Sequence, residues 1–152
     1  MIAIDPGPEK SALVIWRQGE LLLADEFQNN DLLEYLRSEQ GQLAIAQKDV
    51  VVEMIASYGM AVGRETFETC LFIGRIQELC ETIRRGSVKL VYRKEIKLHL
   101  CGTHRAKDAN VRQALIDRLG APGTKKAPGP TYGVTGHCWQ ALAVAVYAED
   151  EL

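Results

Sequence analysis

The sequence predicts an α/β fold in which a mixed sheet of five strands is flanked by helices. Three observations support this prediction: short strand patterns come first, helical and strand patterns then alternate, and a helix rich in alanine closes the chain. A length of 152 residues suits one domain, residues 1–152, that buries a core of its own.

Residues 1–27 have the pattern of an antiparallel meander. Apolar segments at 1–5, 11–16 and 21–27 are joined by short turns that contain proline or glycine. A helix is expected next, from residue 30 or 31 to about residue 39, because Asn and Asp are good caps for a helix N-terminus.

The second part of the chain alternates strands with helices. The β-branched run at 50–54 is typical of a central strand that is buried on both faces. A helix is expected over 64–85, ended by Gly86, because apolar residues recur there at near-helical spacing. Its expected apolar side comprises Phe67, Cys70, Leu71, Gly74, Leu79 and Ile83. The remaining expected elements are a strand at 88–92, helices at 93–101 and 108–119, a loop rich in Gly and Pro at 121–136, and a helix from about 137 to 148.

The composition argues against several classes of protein. No apolar run reaches the roughly 18 residues that a membrane helix needs. The first strand lacks the basic start of a signal peptide, so a cytoplasmic location is expected. The four cysteines form no CxxC pair, and neither a zinc site nor a disulfide framework is expected.

Charge is distributed unevenly along the chain. Residues 1–83 hold 6 Lys and Arg against 14 Asp and Glu, whereas residues 84–126 hold 12 against 3. A basic block in an acidic chain suggests a surface that binds a polyanion such as nucleic acid. The alternative is a solvated surface without a partner, and composition alone does not separate the two.

Two carboxylates and one imidazole stand where predicted elements start or stop. Asp5 ends the first strand, Glu53 follows three valines, and His137 begins the last helix. Oxygen donors suit Mg²⁺ or Mn²⁺, and Mn²⁺ also accepts imidazole. The structural alternatives are a turn residue for Asp5, a salt bridge for Glu53 and a helix cap for His137. Glu53 argues most strongly for a site, because a buried charge needs a partner or a metal.

Other residues are candidates for binding a phosphate backbone or a base. Gln140, one helical turn after His137, can orient a water or bind a phosphate oxygen. Lys107 is the best candidate for an active-site cation. Tyr58 can stack on a base, or else it closes the edge of the core. The candidates for contacts with phosphates are Lys94, Lys97, Arg105, Lys107 and Arg112.

Four stretches, in order along nearly the whole chain, resemble the RuvC group of Holliday-junction resolvases, especially its phage and prophage members. They are residues 2–8 (IAIDPGP), 52–60 (VEMIASYGM), 106–115 (AKDANVRQAL) and 141–145 (ALAVA). The resemblance implies a ribonuclease H-like fold and a homodimer that binds four-way DNA junctions. It also implies paired nicks made with two divalent cations, Mg²⁺ or Mn²⁺.

The resemblance also implies roles for particular residues. Asp5 and Glu53 match the first two metal-binding carboxylates, and His137 matches the Asp or His of the closing helix. Gln140 departs from the pattern, because many members have a carboxylate there; Asp108 is an alternative donor. Tyr58 lies near the position of an aromatic wedge, and the basic segment 93–112 matches the DNA-binding region. We expect the apolar face of the 64–83 helix to form the dimer interface.

Three other functions remain open at this point. The first is a protein of the same fold that binds branched DNA without cutting it, which Gln140 favours. The second is a nuclease of the same fold that acts on flaps, replication forks or RNA–DNA hybrids. The third is a phosphate binder related to sugar kinases, whose two-lobed form needs a longer chain than 152 residues.

Overall fold

The computed structural model describes residues 1–84 and 86–152. The strands are β1 (Ile2–Asp5), β2 (Lys10–Arg17), β3 (Glu20–Gln28), β4 (Val50–Met54) and β5 (Lys89–Tyr92). The helices are α1 (Asn29–Arg37), α2 (Glu39–Gln47), α3 (Arg64–Arg84), α4 (Arg93–Cys101), α5 (Asp108–Leu119) and α6 (Cys138–Glu151).

The five strands form one mixed sheet in the order β3-β2-β1-β4-β5. The meander β1-β2-β3 is antiparallel, while β4 lies parallel to both β1 and β5. β1 therefore has an antiparallel neighbour on one side and a parallel neighbour on the other. The predicted fold class, a mixed five-stranded sheet with flanking helices, is confirmed.

Each face of the sheet has its own apolar core, because side chains alternate between faces along a strand. Ala3 and Val51 face α6, with α4 and α5 behind it. Ile4 and Val52 face the opposite layer, which α1, α2 and α3 form. Both central strands are thus buried on both faces, as the valine run predicts.

Helix α6 packs directly across the sheet. Residues 141–146 (ALAVAV) are all buried, and the helix contacts β1, β2, β3 and β4. Three of these six side chains are alanines, which let the helix axis approach the sheet closely. The N-terminus of α6 consequently lies near the end of β1, where the candidate site is.

A second helix follows α1, where the sequence prediction has none. Helix α1 ends at Arg37, and the Ser38 hydroxyl accepts a hydrogen bond from the Gly41 N–H (3.2 Å), which caps the start of α2. In the sequence, the capping residue Ser38 is the main sign of this second helix, because the apolar residues of α2 form only a weak stripe.

The expected apolar side of α3 is partly wrong. The side chains buried against the sheet are Thr69, Phe72, Ile73, Ile76 and Cys80. Phe67 and Leu71 are exposed instead, and Leu71 is 72% exposed. The expected last residue of this helix, position 85, lies outside the described residues. Across the described part of the chain, no helix is both long and apolar enough to cross a membrane.

Candidate functional site

Asp5 and Glu53 lie next to each other at one edge of the sheet. Ile4 of β1 pairs with Val52 of β4, so the two acidic residues follow at the adjacent carboxyl ends of parallel strands. Their side chains are only 12% and 11% exposed. Parallel pairing thus brings together two carboxylates that are 48 positions apart in sequence.

Burial, together with this proximity, makes ionisation of Asp5 unfavourable. Burial, and then the charge of Glu53, raise the pKa of Asp5 to about 8, against the lowering effect of Arg93. Burial also raises the pKa of Glu53, although the charge and hydrogen bonds of Arg93 oppose the rise. A positive charge near Asp5 would therefore be strongly stabilised.

Arg93, the first residue of α4, joins Glu53 to a third carboxylate. Its Nη1 lies 3.0 Å and 3.3 Å from the two Glu53 carboxylate oxygens, and its Nη2 lies 2.8 Å from Asp108 Oδ1. Lys97 Nζ lies 3.4 Å from the same Asp108 oxygen. Partial burial raises the pKa of Asp108, but the hydrogen bond and the charge of Arg93 outweigh this effect, and the pKa is lowered overall. Glu53 therefore already has a cationic partner.

His137 faces Asp5 from the start of α6. Its Nδ1 lies 3.5 Å from Asp5 Oδ2, and its side chain is 74% exposed. The His137 N–H donates a 2.6 Å hydrogen bond to Glu26 Oε1 on β3. Gly136 before it has φ +47°, and a Cβ there would lie 2.1 Å from the same Glu26 oxygen. Glu26 thus anchors the turn that presents the imidazole to Asp5.

Replacing Gly136 with alanine should weaken the site more than the fold. The new methyl group would push the Glu26 carboxylate away from the His137 N–H, so the cleavage that the sequence resemblance implies should fall about tenfold. Gly133→Ala is the matched control, because Gly133 also has positive φ (+84°) but no atom within 4 Å of its Cβ position. Equal cleavage rates for the two variants, measured at equal folded fraction, would contradict this role of Glu26.

An open cleft of about 880 Å³ runs over these residues. Asp5, Arg93, Asp108 and His137 line it, together with the turn after β1 and the start of α3. A smaller cavity of about 340 Å³ shares Arg93 with the cleft. Its other lining residues are Tyr58, Lys94, Lys97 and His104. A basic cavity thus adjoins the acidic cleft.

Three of the predicted DNA-binding residues come together in the smaller cavity. Tyr58 is 57% exposed and has φ +47°, and Lys94 Nζ lies 5.8 Å from the centre of its ring. This cation–π contact holds the ring beside Lys97. Tyr58 therefore lies on the surface and does not close the core edge.

Other predicted residues lie outside both cavities. Lys107 is exposed immediately before α5, where its N–H donates to Asn110 Oδ1 (2.9 Å). Arg105 is exposed in the turn before Lys107. Arg112 lies over the Trp139 ring, with its Cζ 5.0 Å from the ring centre. Gln140 is buried one turn along α6 from His137. As a neutral amide, it adds no charge to the carboxylates.

The donor types fit a hard divalent cation at Asp5. Its carboxylate has His137 Nδ1 nearby, and no Lys or Arg nitrogen among the described residues lies within 4 Å of it. No three His, Cys, Asp or Glu side chains in the described ranges converge into a ready-made metal cage. Asp5 and His137 would hold an ion, with water and substrate oxygens completing its shell.

Two residues of the candidate site are not named individually among the sequence-based candidates, although Arg93 lies in the basic segment 93–112. Arg93 follows β5, whose carboxyl end lies at the same sheet edge as Asp5 and Glu53, so the topology would have indicated it. Glu26 lies on β3 and reaches the site through the turn before α6. Nothing in its local sequence distinguishes it from other exposed strand residues.

Comparison with known proteins bears on the fold. No model of a protein family matches this sequence, and no curated protein sequence matches it either. A Thermus thermophilus RuvC structure matches with a TM-score of 0.64 at 17% identity, over 96% of this chain and 90% of that chain. Thermus thermophilus RuvC in complex with Holliday junction substrate matches with the same TM-score and coverage at 19% identity. The protein therefore has the RuvC fold, a ribonuclease H-like arrangement.

Proposed function

We propose that the protein is a divalent-metal-dependent endonuclease that resolves four-way DNA junctions in the cytoplasm. The observation that carries the proposal is the pair of adjacent carboxylates Asp5 and Glu53 at one sheet edge, with His137 beside Asp5 in an open cleft. The likeness to a RuvC bound to Holliday junction substrate supports the choice of branched DNA.

The reaction is hydrolysis of a phosphodiester. A water oxygen bonds to phosphorus, the bond to the 3′ oxygen breaks, and the water proton ends on that leaving oxygen. When bound, a divalent cation (Mg²⁺ or Mn²⁺) stabilises the charge that develops on the attacking and leaving oxygens. Asp5 and His137 would hold it, while Arg93 fixes Glu53 and faces the cleft as a further positive charge. Lys107 stays a predicted contact with substrate phosphate.

The basic cavity offers a path for the DNA beyond the scissile phosphate. Lys94 and Lys97 can neutralise backbone phosphates, and Tyr58 presents an exposed ring on which a base at the junction can stack. Because the two cavities share Arg93, a strand can lie across both.

We also propose that the protein acts as a homodimer through α3. Phe67 and Leu71 are exposed on this helix, on the side turned away from the sheet, and Leu79 nearby is half-buried. An exposed apolar stripe suits an interface with a second copy, and two copies would place two sites on one junction.

Leu71→Glu should shift the protein towards the monomer. At a two-fold interface the glutamates of the two copies would be buried close to each other, and their negative charges would repel. We therefore expect the dissociation constant of the dimer to rise at least tenfold in sedimentation equilibrium. Leu43→Glu, on exposed Leu43 of α2, is the matched control and should leave assembly unchanged. A dimer of undiminished affinity in Leu71→Glu would place the interface elsewhere.

The test is nicking of a labelled synthetic four-way junction with Mg²⁺, Mn²⁺ or EDTA, beside flap, fork, RNA–DNA hybrid and linear duplex substrates. Paired nicks that need the metal and are selective for the junction are expected. Faster cleavage of a flap, fork or hybrid would assign a different substrate to the same site.

A second candidate function is binding of branched DNA without cleavage. Two observations favour it: Glu53 is already bonded to Arg93 through both oxygens, and Gln140 adds no carboxylate. Tight junction binding in a gel-shift assay, without a nick in either metal, would establish this alternative.

A further inference from the structure

We propose that the Arg93 guanidinium takes the place of a second divalent cation, so that the site works with one metal ion and one fixed positive charge. The inference rests on the proposed nuclease function. It differs from the two cations that the sequence resemblance implies.

The first support is the geometry of Arg93. Its two terminal nitrogens bond to Glu53, at 3.0 and 3.3 Å, and to Asp108, at 2.8 Å. An ion held between these two carboxylates would need the same oxygens. The planar guanidinium suits this bridging role, because its donors point in fixed directions.

The second support is burial. Glu53 is nearly enclosed, and two thirds of the Arg93 side chain is covered. Solvent therefore screens this pair less than a surface pair. A cation that displaced Arg93 would leave a half-buried guanidinium without a partner, which is costly.

The third support is the charge balance of the site. Once a bound cation has ionised Asp5, the carboxylates of Asp5, Glu53 and Asp108 and one scissile phosphodiester carry four negative charges. Arg93, Lys97 and one divalent cation carry four positive charges. A second divalent cation would give these groups a surplus of two positive charges.

The free carboxylate indicates where the one ion binds. Among the described residues, Asp5 has no Lys or Arg nitrogen within 4 Å, and its nearest basic group is the His137 imidazole at 3.5 Å. Glu53 is turned towards Arg93 instead. The ion therefore lies on the Asp5 side of the site, and the guanidinium lies on the Asp108 side.

The test counts bound Mn²⁺ by electron paramagnetic resonance in the 152-residue protein. We expect one bound Mn²⁺ per chain in the wild type. Arg93→Gln should bind two, with the line broadening of a close Mn²⁺ pair. Arg93→Lys, which keeps the positive charge, should bind one. Arg17→Gln is the matched control, because it removes an exposed Arg–Glu pair at the far end of β2, and it should bind one ion.

Each other result is decisive. Two ions in a wild-type protein that nicks junctions would overturn the inference while leaving the nuclease function intact. One ion in a folded Arg93→Gln would also overturn it, because Arg93 would not then be what excludes the second. No bound ion and no cleavage in the wild type would overturn the proposed function and this inference together. If Arg93→Gln does not fold, the number of Mn²⁺ ions bound by the wild type still tests the inference.

Discussion

Asp5→Asn should abolish cleavage while leaving junction binding largely intact. Of the three carboxylates at the site, Asp5, Glu53 and Asp108, the amide removes the one that pairs with no Lys or Arg, and with it the principal ligand for a cation. Loss of several kcal/mol of charge stabilisation corresponds to a fall of at least roughly 10³-fold in the cleavage rate. Single-turnover nicking and a gel-shift titration of the same junction measure the two properties.

The same substitution should stabilise the metal-free fold. Because the pKa of Asp5 is raised to about 8, the folded protein keeps a proton that the unfolded chain has lost between about pH 4 and pH 8. Wild-type stability therefore falls as the pH rises through this window. The asparagine cannot ionise, so the gain in stability from Asp5→Asn should be larger at pH 8 than at pH 5.

Normal cleavage of the junction by Asp5→Asn would refute the assignment of Asp5 to the active site.

Gly41→Ala should cause a large loss of stability. A Cβ at this position of α2 would lie 2.1 Å from the carbonyl oxygen of Tyr35 and 2.7 Å from Leu36 Cα, both backbone atoms of α1. Because neither atom can move without shifting the helix, we expect a cost of about 2–4 kcal/mol. Urea unfolding followed by circular dichroism gives this value directly.

Gln40→Ala is the control for Gly41→Ala, because it leaves an alanine methyl group one position earlier, on an exposed side of α2. It should change the free energy of unfolding by less than about 0.5 kcal/mol. A similarly small change for Gly41→Ala would mean that α1 and α2 are packed less closely than their backbone contact indicates.

The sheet could be predicted from the sequence because its signals are local. The valine run of β4 and the short turns of the meander predict strands in their correct places. Asp5 and Glu53 could be predicted as a pair because both follow apolar strands, and the structure places them on adjacent parallel strands.

The remaining features depend on contacts that local patterns do not encode. On α3, Phe67 and Leu71 are as apolar as Phe72 and Ile73, so periodicity alone could not decide which pair faces the sheet. The Glu26 contact with His137 joins residues 111 positions apart. Both depend on how whole layers pack, which only the assembled fold determines.

The position of the two carboxylates on neighbouring parallel strands has a consequence for how such a protein can diversify. Adjacent strands lie about 4.8 Å apart whatever their side chains, so the sheet holds the Asp5–Glu53 spacing constant. Tyr58 lies in the segment between β4 and α3, and His104 lies in the turn between α4 and α5, outside any strand. Mutation can therefore change the proposed nucleic-acid surface one residue at a time without changing the spacing of the two carboxylates.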